Sequence, residues 1–230
     1  MNSRMLIIAG LTILLAAGAA FYLFAESPAV SEAQSPVSST SVPAKAAETV
    51  EPSPSDIPDM AMGNAMAAVE VIEYASFTCP HCAAFHNNQF KQIKKNYIDT
   101  GKINFKFREV YFDQFGLIAS MIGRCEGSDA FYFDYIEQVF AQQKEWIASR
   151  DGELIMKELA KIGTSAGLTE AQLGTCMADN AKAETLVEWY KQNAEQDGIR
   201  STPSFVINGE LHGNMPYEEF ADILDAKLGL

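Results

Sequence analysis

Apolar positions divide the chain into stretches of different rhythm. Met5 to Ala25 is apolar throughout and carries no charge, whereas Glu26 to Asp59 has no apolar periodicity and is broken by Pro28, Pro36, Pro43, Pro52, Pro54 and Pro58. The folded region is expected to begin near Met60. Val69 to Tyr74, with β-branched Val69, Val71 and Ile72 and aromatic Tyr74, reads as a buried strand. Ser76-Phe77-Thr78 is a turn. A helix follows, with Pro80 tolerated in its first turn and Phe85, Phe90, Ile93 and Tyr97 at helical spacing, ending at Thr100-Gly101. Ile103 to Val110 alternates Ile103, Phe105 and Phe107 against Asn104, Lys106 and Arg108, the period of a second strand. A strand–helix–strand unit with so short a final loop predicts a parallel pair.

From Gln114 to Gln196 the pattern is helix after helix. Helices are predicted over Gly116–Arg124, Asp129–Gln143, Glu153–Ala166 (stopped by Gly167) and Ala181–Gln196. Thr169-Glu170-Ala171-Gln172 reads as a capping box opening a short helix that contains Cys176. Strand character returns at Ser204–Ile207. Asn208-Gly209 is a two-residue hairpin signal, Glu210–His212 the return strand, and Pro216 starts a last helix carrying Phe220, Ile223, Leu224 and Leu228.

The first apolar stretch bears on compartment. About 20 residues at about 1.5 Å each span a bilayer core of about 30 Å, which reads residues 1–25 as an uncleaved anchor. Ala17-Gly18-Ala19 also fits a signal-peptide cleavage pattern. Either way Arg4 keeps the N-terminus in the cytoplasm and the body of the protein is exported. Residues 26–59 have too few large side chains to offset the entropy of ordering, so they are expected to be a disordered linker. They lack the heptads of an oligomerisation stalk, and a monomer is expected. A net charge of −13 argues against nucleic acid as a partner, because phosphate binding needs clustered Lys and Arg.

The chemistry concentrates at Cys79-Pro80-His81-Cys82. Cys79 falls where strand passes into helix, so orphan N–H groups and the positive end of the dipole favour its thiolate. Cys82, one turn further in, suits a resolving thiol. His81 is placed to donate a hydrogen bond or a positive charge to Cys79. Zinc sites also use this spacing, but Cys79, His81, Cys82 and His86 crowd one helical turn too closely for a tetrahedron. His86 is expected to be an exposed helix residue. Haem attachment is excluded by Ala83 in the position that needs histidine. Thr202-Pro203 precedes a strand, where a proline cannot donate to the ladder. A cis peptide there, beside the cysteines, would leave the Thr202 backbone free to grip an extended peptide.

Taken together, Val-Ile-Glu-Tyr-Ala-Ser-Phe-Thr-Cys-Pro-His-Cys (Val71–Cys82), the helical block and Ser-Thr-Pro-Ser-Phe-Val-Ile-Asn-Gly (Ser201–Gly209) resemble the DsbA-type thiol:disulfide oxidoreductases. The resemblance covers Met60 to Leu230. It implies an α/β, thioredoxin-like fold: a central mixed sheet flanked by helices (60–113 and 197–230) with an inserted all-helical domain (114–196). It further implies Cys79 as nucleophile, Cys82 as resolving cysteine and Thr202-Pro203 as a cis-proline loop. Glu73 falls where the family has a buried acid under the site, the competing reading being an exposed strand residue. For Cys125 and Cys176, export favours a structural disulfide, as some family members carry, against a regulatory redox pair.

The function implied is a periplasmic protein disulfide oxidase with no cofactor beyond the Cys79–Cys82 disulfide. Its partners would be folding exported proteins with free cysteines and a membrane thiol oxidase that reoxidises it. A reductase or isomerase of the same fold, or a dithiol copper-binding protein, are the alternatives.

Overall fold

A computed structural model describes residues 53–230. The expected membrane or signal segment (1–25) and most of the expected linker lie outside the described residues. Among the described residues no helix is long and apolar enough to cross a membrane.

The strand predicted from the Val69–Tyr74 run forms as β2 (Val69–Ala75), after a short strand β1 (Met60–Gly63) that the sequence pattern did not reveal. The half-turn at Ser76–Thr78 leads into α1 (Pro80–Asn87). The chain then breaks at Asn88 and continues as α2 (Gln89–Ile93) and one π-helical turn, Lys94–Ile98. The predicted single helix is therefore bent, and its face turns so that Phe85, Phe90, Ile93 and Tyr97 are all buried. β3 (Ile103–Glu109) lies parallel to β2, as the short connection requires, with Val71 opposite Phe105 and Glu73 opposite Phe107.

The helical block follows as α3 (Gln114–Gly123), α4 (Asp129–Ala141), α5 (Gln143–Trp146), α6 (Gly152–Ser165), α7 (Glu170–Met177) and α8 (Asn180–Gln196). The capping box at α7 is present: Thr169 Oγ1 accepts from the Gln172 N–H and Gln172 Oε1 accepts from the Thr169 N–H. The hairpin is built from β4 (Ser204–Ile207) and β5 (Glu210–His212), joined through Asn208 and Gly209, both at positive φ (47° and 83°) as a two-residue turn of this hand demands. α9 (Tyr217–Leu228) closes the chain.

The sheet order is β1-β3-β2-β4-β5, parallel only between β2 and β3. β2 is thus central, and all but Glu70 of its residues are buried. One hydrophobic cluster runs from Val71, Phe105 and Phe205 on the sheet through Phe85 of α1 to Tyr132, Phe140, Leu159 and Leu173 of the helical block. The insertion therefore shares the core of the sheet.

Two polar groupings fix the sheet's other surroundings. The Glu109 carboxylate accepts from Arg124 Nε (2.7 Å) and Nη2 (2.8 Å), from the Tyr132 hydroxyl (2.7 Å) and from the Ser120 hydroxyl (2.9 Å), all inside the protein. Arg108 binds Asp59 through Nε (2.7 Å) and Nη2 (3.0 Å), and Arg124 Nη1 donates to the Pro58 carbonyl (2.9 Å). These contacts fall at the end of the expected linker. Pro58 and Asp59 are held against the fold, because Arg108 of β3 and Arg124 at the end of α3 take acceptors from them.

Candidate active site

β2 delivers the site to its C-terminal end. The Cys79 N–H donates back to the Ser76 carbonyl (3.1 Å), closing the turn, and Cys79 becomes the extended N-cap residue of α1. Pro80 follows at the first helical position, where no N–H is needed. Cys79 keeps 7% of its surface accessible and Cys82 none, and the two thiols are unbridged. The Thr202–Pro203 peptide bond is cis. The Cys79 thiol donates to the Thr202 carbonyl at 3.5 Å, so the loop before β4 and the start of α1 face each other across the dithiol.

The acidities of the two thiols are driven apart. Cys79 is lowered to about 5, first by the hydrogen bond from the Cys82 thiol and then, against the cost of burial, by the Thr202 hydroxyl and the N–H groups of Cys82 and His81. The Thr202 hydroxyl is buried and has no hydrogen-bond acceptor in the dithiol form among the described residues, so a thiolate gives it one. Cys82 is pushed strongly up, first by burial, then by its bond to Cys79 and by the negative charge of Glu73. His81 contributes its backbone N–H. Its side chain is exposed and makes no hydrogen bond among the described residues, so the expected imidazole contact to Cys79 is not where the lowering arises. Pro80 is exposed beside it.

Glu73 is completely buried on β2 and both its carboxylate oxygens meet His86 Nε2, at 3.1 and 2.9 Å. This overturns the expectation that His86 is exposed. The ring is 5% accessible and stacks on Phe140 of α4 at 4.2 Å between centroids. A helix covered by the sheet on one side and by α4 on another has no free face at that position. A second residue that sequence reasoning missed is Gln143. Its buried amide donates to the carbonyls of Phe77 (2.7 Å) and Cys79 (2.9 Å). Nothing in the pattern marks it, because its partners lie 66 and 64 residues away. Cys125 and Cys176 are joined in a disulfide, Cα atoms 5.6 Å apart, which ties the end of α3 to α7. Among the described residues no group of three or more His, Cys, Asp or Glu side chains gathers as a metal site.

A dithiol at a helix N-terminus facing a cis-proline loop, on a mixed sheet of this order, defines a thioredoxin-type exchange centre. The chain belongs to the thioredoxin family, whose model, described as "Thioredoxin", matches residues 55–226, and within it to the DsbA-type proteins. It is 31% identical over 170 residues to a Rickettsia felis protein named "Putative protein-disulfide oxidoreductase", covering 74% of this chain and 60% of that one. It spans 60–63% of the length of the five Rickettsia relatives it matches. The crystal structure of Wolbachia pipientis alpha-DsbA1 superposes with a TM-score of 0.70 at 30% identity, covering 75% of this chain and 92% of that one. Disulfide bond formation protein D of Bacillus subtilis is 26% identical, covering 73% and 76% of the two chains.

Proposed function

We propose that the protein is an exported thiol:disulfide oxidoreductase that donates its Cys79–Cys82 disulfide to folding proteins with free cysteines. The observation that carries this reading is the asymmetry of the two sulfurs: Cys79 is held as a thiolate and Cys82 as a thiol. A substrate thiolate attacks Cys79 Sγ, the Cys79–Cys82 bond breaks, and Cys82 leaves and takes up a proton. A second substrate thiolate then attacks the substrate sulfur of the mixed disulfide, and Cys79 leaves as the stabilised thiolate. The substrate dithiol has lost two electrons and the protein disulfide has gained them. A good leaving thiolate stabilises the reduced protein and makes its disulfide the stronger oxidant.

The Thr202 carbonyl, beside Cys79, is the acceptor for the backbone of an extended substrate. No cofactor is required. Reoxidation falls to a membrane thiol oxidase, with Cys79 attacking that partner's disulfide and Cys82 closing the bond. Residues 1–25, as anchor or cleaved signal, bring the domain to the periplasm. The test is whether the oxidised protein introduces disulfides into a reduced, unfolded substrate. Reshuffling of a scrambled substrate without net oxidation, or a potential near the roughly −270 mV of thioredoxin, would make it an isomerase or a reductase instead.

A further inference from the structure

The Thr202 carbonyl beside Cys79 grips a substrate only if the loop between α8 and β4 keeps its place. Little within the loop holds it there. Among the described residues Arg200 to Pro203 have no backbone–backbone hydrogen bond. The Ser204 hydroxyl donates to the Ser201 carbonyl (2.8 Å), a bond local to the loop's own exit. The position of the loop relative to the dithiol is therefore set where its two ends are fastened.

Both ends are fastened on Tyr74. On the β4 side, Tyr74 is the ladder partner of Ser204, the first residue after Pro203. On the α8 side, the Tyr74 hydroxyl donates to Oδ2 of Asp197, the C-cap of α8, at 2.5 Å. The Asn193 carbonyl lies further off at 3.2 Å, and the single proton goes to the carboxylate. Arg108 Nη1 donates to the Tyr74 oxygen (2.8 Å) and to the same Asp197 oxygen (3.3 Å), while its other nitrogens bind Asp59. Burial and the neighbouring carboxylate push the Tyr74 phenol well above its usual range, so the hydroxyl stays a donor. Directly after Asp197 the chain leaves the helix at Gly198, φ 68°, a left-handed helix end. Ile199 then packs on the cluster of Ile72, Tyr74, Val110 and Val206. Successive residues of a strand face opposite sides of the sheet, so this fastening lies on the face away from Glu73 and α1.

We propose that Tyr74 is a positioning residue for the substrate: through Asp197 its hydroxyl sets where the Thr202 carbonyl stands beside Cys79. This rests on the exchange reading above. Tyr74 belongs to the strand that delivers Cys79, so one residue refers the gripping loop and the reacting sulfur to a common backbone. In the disulfide form Cys79 carries no S–H, and the Thr202 carbonyl is left to accept the N–H of an extended peptide. Without the Tyr74 hydroxyl, Asp197 is held from the sheet only by the longer Arg108 contact. The start of the loop is released, and the carbonyl loses its alignment with the peptide N–H. The sulfurs themselves are untouched.

The test compares a substrate that has a backbone to grip with one that has none. The oxidised protein is mixed with a reduced peptide carrying two cysteines, or with dithiothreitol, and its second-order rate of reduction is measured for each. In Tyr74→Phe the peptide rate is expected to fall about tenfold, equivalent to about 1.4 kcal/mol and within the worth of one hydrogen bond, while the dithiothreitol rate stays within about twofold of wild type. Asp197→Ala is expected to show the same selective loss. The double variant is expected to lose no more than either single one, because both act through one contact. A peptide rate in Tyr74→Phe equal to that of wild type overturns the positioning role, whatever the variant's melting temperature. So does equal slowing toward peptide and dithiothreitol, which is the signature of a general structural loss. Additive losses in the double variant overturn it as well. A wild-type protein whose disulfide is reduced by neither compound overturns the exchange reading before any variant is measured, and the positioning role with it.

Discussion

The side-chain amide of Gln143 donates to the carbonyl of Cys79 at 2.9 Å, so the inserted helical block holds the backbone of the nucleophile from outside the sheet. The same nitrogen serves Phe77 at 2.7 Å. Gln143→Ala leaves the buried Phe77 carbonyl without a donor among the described residues and the Cys79 carbonyl with the Ala83 N–H alone, and is expected to cost about 1–3 kcal/mol of stability. Urea unfolding of the reduced protein measures this. Cys79 alkylation in the same variant is expected to lose its single rate, since the turn that presents the sulfur is no longer fixed.

The depressed Cys79 sets a pH dependence whose sign follows from its cause. The folded sulfur ionises near about 5 and the unfolded one near about 8.5. Between these values the unfolded chain binds more protons, so the reduced protein gains stability as pH rises through the window and loses it as pH falls through about 5. The oxidised protein has no such titration at this sulfur. Denaturation of both forms below and above the window is expected to show the reduced form gaining on the oxidised one. In Cys82→Ala the Cys79 titration is expected to move up toward the ordinary thiol range, because the Cys82 thiol is the largest cause of the lowering.

The Cys125–Cys176 disulfide closes a sequence separation of 51 residues. In the chain-entropy picture such a loop contributes about 4 kcal/mol. Replacing both cysteines by serine is expected to lower the melting temperature and leave the active-site potential where it was. An unchanged melting temperature with a displaced potential would make the pair regulatory.

Arg124 and Glu109 form an ion pair in which both side chains are nearly inaccessible, 4% and 0% exposed. Arg124→Met or Glu109→Gln, each leaving its partner buried without its counterpart, is expected to cost about 3–5 kcal/mol. The double variant is expected to cost less than the sum, which a thermal or urea double-mutant cycle measures.

Much of this was legible in residue order alone. The β2 and β3 runs, the Asn208-Gly209 turn, the α7 capping box and the C-x-x-C each carry a local signature. What was not legible depends on partners distant in sequence. Met60–Gly63 has no strand pattern and is a strand because β3 offers Asn104–Phe107 as its antiparallel neighbour. His86 looks like any polar residue on a helix, and only the approach of Phe140 and Glu73 from other elements buries it. The break at Asn88 has φ −125° and ψ −81°, for which Asn-Asn-Gln gave no warning. Pro58 and Asp59 read as linker because the composition around them is linker-like, and the arginines that bind them sit on β3 and just beyond α3.

Among the described residues the Thr202 carbonyl has one hydrogen-bond donor in the resting dithiol, the Cys79 S–H. Above a pH of about 5 that proton is gone, and the oxygen stands bare beside a negative sulfur. The ionisation that arms the nucleophile therefore also vacates the docking point next to it. A peptide N–H arriving with a disulfide for Cys79 to attack finds an unoccupied acceptor, and reprotonation of Cys79 would close that berth by self-competition.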